Sequence, residues 1–151
     1  MEKINLRELS TLIIRLVVAA TFILAALPKI QAPVEFAAAI RNYQVLPDDW
    51  SLWVAICLPW LELVCGVGLV VPLIRRACAL SIVALLILFI VLHISALARG
   101  LDLSCGCFGL DETEDPSTMI PIIRNLALLF GASIVFLRDR ATNRFHTPSI
   151  I

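Results

Sequence analysis

Four apolar stretches, each able to reach across a lipid bilayer, restrict what this chain can fold into more than anything else in it. A hydrocarbon layer about 30 Å thick takes about 20 residues of helix. The stretches cover approximately residues 12–27, 52–74, 77–98 and 119–137. Lipid offers no water to backbone N–H and C=O groups, so each segment must bond its own, and helix is the expected form. The expectation is an all-α integral membrane protein: a bundle of four transmembrane helices in a single domain over residues 1–151. Composition agrees. Of the 151 residues, 60% are hydrophobic, against about 45–50% in soluble domains. Formal net charge is zero, so no basic surface points to nucleic acid.

The first stretch has a basic start, as a secretory signal does. It is longer than the usual signal core and leads straight into Pro28-Lys29 with no A-x-A site just before, so an uncleaved helix is expected. The second contains Pro59, Glu62 and Pro72, and the fourth contains Arg124 and Asn125. Between the first two, Pro33 opens a run with helical spacing of apolar residues through Tyr43, and Pro47 stops it. Proline suits a first helical turn, so a short interfacial helix is expected there. Trp50, Trp53 and Trp60 begin the second stretch, as aromatic anchors at the outer headgroups do.

Orientation is read from Lys and Arg placement. With four spans, the N-terminus, the second turn and the C-terminus share a side, which carries Lys3, Arg7, Arg75, Arg76, Arg138, Arg140 and Arg144, with Arg15 close by. The other side carries Lys29, Arg41, Arg99 and Arg124. The bias places both termini in the cytoplasm of a bacterium and the protein in its cytoplasmic (inner) membrane. The segment after the third span then lies in the periplasm, an oxidising compartment.

That segment holds Ser104-Cys105-Gly106-Cys107-Phe108-Gly109. Two thiols separated by one glycine can close into a small strained ring, which is easier to reduce than a structural disulfide. Arg99, six residues upstream, favours a thiolate, and the acidic run Asp111-Glu112-Thr113-Glu114-Asp115 opposes it. Three readings fit Cys105 and Cys107: a redox-active pair, a static disulfide that pins the loop, and half of a zinc site. The first is preferred. The third is weakest, since no matching second pair of ligands stands nearby, and no metal site is assigned. Five cysteines leave at least one unpaired. Cys57, Cys65 and Cys78 read as small buried hydrophobes, with Cys57 alone a conceivable relay partner and Cys78 on the wrong side of the membrane for one.

Glu62 lies about 15 Å into the second span at 1.5 Å per residue. A carboxylate at that depth is costly and marks a functional site by default. Its partner should be basic, and Lys29 and Arg124 are the candidates. A structural ion pair and a proton or substrate role are both compatible with it. His93 lies in the outer third of the third span, where an imidazole can pass protons or simply be a hydrogen-bonded interior side chain. Arg15 is expected to snorkel to the inner interface, and Arg75 and Arg76 to act only as topology determinants.

These residues together resemble a known group. Leu27-Pro28-Lys29, Tyr43-Gln44-Val45-Leu46-Pro47, Leu58-Pro59-Trp60-Leu61-Glu62 with Gly66, Arg99-Gly100 and Cys105-Gly106-Cys107-Phe108-Gly109 fall in the order found in DoxX-like four-helix membrane proteins, and within them in the MauE branch. The resemblance covers roughly residues 15–138. Where that group often opens its fourth helix with Arg-Asp, this chain has Arg124-Asn125. The chain also looks shorter than the MauE proteins encoded with methylamine dehydrogenase. The resemblance implies thiol handling outside the cytoplasmic membrane. MauE-type proteins are associated with a thioredoxin-like partner and with maturation of a disulfide-rich dehydrogenase subunit, and DoxD relatives form the membrane part of a thiosulfate:quinone oxidoreductase.

The leading expectation is a membrane thiol–disulfide relay. Cys105 and Cys107 exchange with a periplasmic thioredoxin-like protein or a secreted disulfide-bonded substrate. A quinone held among the outer halves of the helices is the possible cofactor, with Lys29, Glu62, His93 and Arg124 lining its site; no covalently bound cofactor is expected. The alternatives are a non-catalytic membrane subunit or assembly factor with a structural disulfide, and a small transporter using Glu62 as a proton site.

Overall fold

The structure, a computed structural model, describes residues 6–101 and 119–144. It comprises α1 (Leu6–Gln31), α2 (Pro33–Asn42), α3 (Asp48–Gly68), α4 (Arg75–Ala98) and α5 (Met119–Arg144). All but α2 are long and apolar enough to cross a membrane, so the chain is a multi-pass membrane protein built as a four-helix bundle. Cys105, Cys107 and the acidic run lie outside the described residues.

Local sequence sets most helix ends. Pro28 sits inside α1 without ending it, and the helix continues to Gln31, which keeps Lys29 in helical register. Ala32 then leaves helical geometry and Pro33 opens α2 at its first turn, where a missing N–H costs nothing. Asp48 and Asp49 occupy the first turn of α3, the end where a helix dipole favours negative charge. At the end of α4, Gly100 adopts φ +64, and the amides of Gly100 and Leu101 donate to the carbonyls of Leu97 and Ala96 at 3.0 and 3.1 Å. This is a Schellman closure, which needs a left-handed residue.

One boundary differs from the sequence reading. The apolar run to residue 74 predicts a longer second span, but α3 ends at Gly68 and residues 69–74 form turns. Pro72 has no N–H to continue a helical ladder, and apolar composition alone does not mark that end.

Contacts between helices run α1–α3, α3–α4, α4–α5 and α5–α1, closing a ring in which all neighbours are antiparallel, while α2 packs on α3 and touches α1. The ends of α1 and α4 and the starts of α3 and α5 share one end of the bundle, here the upper end. The lower half is filled by Val18, Phe22, Cys65, Leu69, Ile82 and their neighbours. Gly66 lets α1 and α3 approach closely: a Cβ there would lie 3.0 Å from Ile23 Cγ1 and 3.2 Å from the Ala19 carbonyl oxygen. Small residues at helix contacts serve this purpose in lipid, where packing takes over from the hydrophobic effect.

Charge closes the lower end. Asp139 of α5 accepts from Arg15 of α1 at 3.5 Å and faces Arg75 of α4 at 3.6 Å. Arg138 donates to the Arg7 carbonyl at 3.1 Å and to the Thr11 hydroxyl. Arg15 thus reaches across the bundle and does not snorkel outward, and Arg75 has a packing role beyond topology. The three tryptophans are exposed on the outer surface of α3. Trp60 stands about 15 Å farther along the axis than Trp50, too deep for the headgroup belt that suits Trp50 and Trp53.

Candidate functional site

The upper half of the bundle is not filled. It encloses a cavity of about 310 Å³, walled by apolar side chains that include Phe22, Phe36, Leu58, Leu86 and Phe89. Lys29, Glu62, His93 and Arg124 all line it, so the four residues assigned to a cofactor site from sequence meet in one space. Tyr43 and Asn125 join them. Sequence reasoning did not assign either a role, although Tyr43 is the only tyrosine in the chain.

Lys29 and Glu62 form the centre. The ammonium donates to both carboxylate oxygens at 2.9 Å, and the two side chains are 5% and 2% exposed. The Lys29 nitrogen lies 5.1 Å from the Phe36 ring centroid and 5.7 Å from that of Phe89, where ring faces attract a cation. Charges removed from water persist only when paired and well bonded, and this geometry meets that need. Of the two partners proposed for Glu62, Lys29 takes it, while Arg124 stands half-buried on the cavity wall.

His93 is oriented from both ring nitrogens. Nδ1 lies 2.8 Å from the Phe89 carbonyl. A carbonyl only accepts, so Nδ1 carries the proton. Nε2 faces the Tyr43 hydroxyl at 3.3 Å, which donates to it when the imidazole is neutral. The two rings meet edge-on, 5.7 Å apart with planes at 68°. His93 is therefore a hydrogen-bonded interior histidine that also borders the cavity. Tyr43→Phe keeps the ring contact and deletes the hydroxyl; it is expected to cost about 1 kcal/mol in denaturant unfolding in mild detergent, with Tyr43→Ala costing more.

The segment over the cavity is held from α4. Arg99 donates to the Tyr43 carbonyl and, at 3.4 Å, to the Gln44 carbonyl. Gln44 has φ +50, a left-handed conformation that costs a non-glycine residue about 1–2 kcal/mol. Val45 and Leu46, just beyond it, line the cavity. Among the described residues no group of three or more His, Cys, Asp or Glu side chains gathers as metal ligands.

Residues 7–138 match the family described as Methylamine utilisation protein MauE. The chain belongs to the MauE family. It is 37% identical over 116 residues to the Methylamine utilization protein MauE of Paracoccus denitrificans, covering 76% of this chain and 62% of that protein. The proteins of the same name from Methylophilus methylotrophus and Methylorubrum extorquens are 35% and 34% identical over 120 and 109 residues, covering 79% and 72% of this chain and 61% and 58% of theirs. This MauE family member thus spans about six-tenths of the length of the curated relatives it matches. No solved structure matches it.

Proposed function

We propose that this protein is a membrane thiol–disulfide relay that serves methylamine utilisation as an accessory factor. Cys105 and Cys107 pass between dithiol and disulfide, exchanging with a periplasmic thioredoxin-like protein or a secreted disulfide-bonded protein such as a maturing methylamine dehydrogenase subunit. The bundle sits in a bacterial inner membrane with its upper end outward and both termini in the cytoplasm.

The cavity is the observation that carries the redox part of this reading. Its apolar walls and few polar groups suit a flat ring with two carbonyl acceptors, the chemistry of a quinone. A bound quinone would supply a two-electron, two-proton acceptor or donor for the thiol pair. Arg124 and Asn125 offer donors to such a ring, and the Tyr43–His93 pair borders it. Glu62 and Lys29 can hold a proton at the cavity floor, and Phe36 and Phe89 exclude water from it. Arg99 ties this site to the end of α4, and Cys105 follows Leu101 by four residues along the chain.

Redox titration of Cys105–Cys107 in native membranes, read by alkylation shift with a membrane-impermeant reagent, tests the relay. The expected midpoint lies between about −250 and −120 mV, where exchange proteins operate. A pair that stays oxidised below about −300 mV is a structural disulfide and replaces the relay with a docking subunit. Separately, a photoreactive quinone analogue is expected to label cavity-lining peptides of α3 and α4 in competition with ubiquinone. Absence of competed labelling removes the quinone from the reading.

A further inference from the structure

The lower half of the bundle carries a second pair of thiols. Cys65, one turn before the end of α3, and Cys78, in the first turn of α4, are both free and both belong to the buried core. Cys65 and Gly68 stand one turn apart on the same face of α3, and that face meets Cys78 of α4 in the buried core. Cys78 is also packed against Gly68: a Cβ at Gly68 would collide with its sulfur. The sequence hides this pairing, since the cysteines belong to different spans and each alone reads as a small hydrophobe. From Cys78 to the end of α4 is about 30 Å at 1.5 Å per residue, so this pair lies at the opposite end of the bundle from the upper end of α4.

We propose that Cys65 and Cys78 are a second thiol–disulfide couple, driven by a small-molecule disulfide of the glutathione class. Burial selects the reagent. Cys65 and Cys78 are 3% and 7% exposed, below the reach of a sulfur fixed on a protein surface, whereas a small flexible disulfide can enter when the exposed turn at residues 70–73 opens. The Cys78 thiolate, the more accessible, attacks the reagent disulfide and releases one reagent thiol, leaving a mixed disulfide. The Cys65 thiolate then attacks the Cys78 sulfur and releases the second. The two protein thiols lose two electrons and two protons; the reagent gains them as two thiols. The product staples α3 to α4 beneath the cavity. This inference stands independently of the relay reading, because it uses neither the C-x-C pair nor a quinone.

The test uses the full chain in membranes as the Cys57→Ser/Cys105→Ser/Cys107→Ser variant, with a protease site inserted in the turn at residues 70–73. After equilibration in reduced and oxidised glutathione, both remaining thiols should become unreactive to maleimide in a single two-electron step. The cut halves should then run as one species until dithiothreitol separates them. Halves that separate without reductant, or glutathione retained on either cysteine as the end product, overturn the proposal. If the variant does not insert, the oxidised wild-type chain is digested and mapped: a Cys65–Cys78 linked peptide supports the couple, and its absence overturns it.

Discussion

Lys29→Met is expected to lower the stability of the bundle by about 3–5 kcal/mol, the cost of breaking a buried ion pair by removing one partner. The substitution keeps much of the side-chain stem but leaves the Glu62 carboxylate, 2% exposed, without the ammonium that bonds both its oxygens. Removing both charges is a different matter. A buried pair replaced by apolar groups of similar volume is often neutral or stabilising, so Lys29→Met/Glu62→Leu should recover most of the loss. Denaturant unfolding in mild detergent of the wild type, both single variants and the double variant reads the coupling directly. Purely additive losses would mean that the two residues do not depend on each other.

The second large effect is expected at the lower end. Among the described residues, Asp139 is the one carboxylate facing two guanidiniums, Arg15 and Arg75, from two other helices. All three side chains are largely buried, at 14%, 13% and 20% exposure. Asp139→Asn preserves shape while leaving two like charges close together without an anion between them, and a loss of about 3 kcal/mol is expected. Arg15→Met in the same chain should restore part of it, since one positive charge is then removed. The check is unfolding together with protease sensitivity of the turn at residues 69–74, which should rise in Asp139→Asn and fall back in the double variant. An Asp139→Asn chain as stable as the wild type would show that the cluster only decorates the bundle end.

The four spans and the Lys29–Glu62 contact were legible because both rest on strong local penalties. Long apolar runs have no soluble alternative, and a carboxylate deep in such a run needs a cation, of which very few are within reach. The short helix from Pro33 was legible from proline placement. The end of α3 was not, since apolar residues continue to position 74 while the backbone turns at 69, and hydropathy is blind to that difference. Asp139 was passed over because its partners come from α1 and α4, far away in the chain. Tyr43 owes its contact with His93 to the path of the segment over the cavity, which the Gln44 conformation and Arg99 set jointly. Cys78 was set aside for being on the wrong side for the C-x-C loop, a sound argument that says nothing of Cys65.

The Lys29–Glu62 pair has a consequence for an energised membrane. As an ion pair it is a short dipole with no net charge, so a transmembrane voltage exerts almost no force on it. Adding one proton to Glu62 leaves a full positive charge at that depth. A charge crossing the whole membrane potential is worth about 2.3 kcal/mol per 100 mV, and a charge part-way across takes the corresponding fraction. A proton placed on this carboxylate would therefore feel the membrane voltage in proportion to its depth, whereas the intact pair would not.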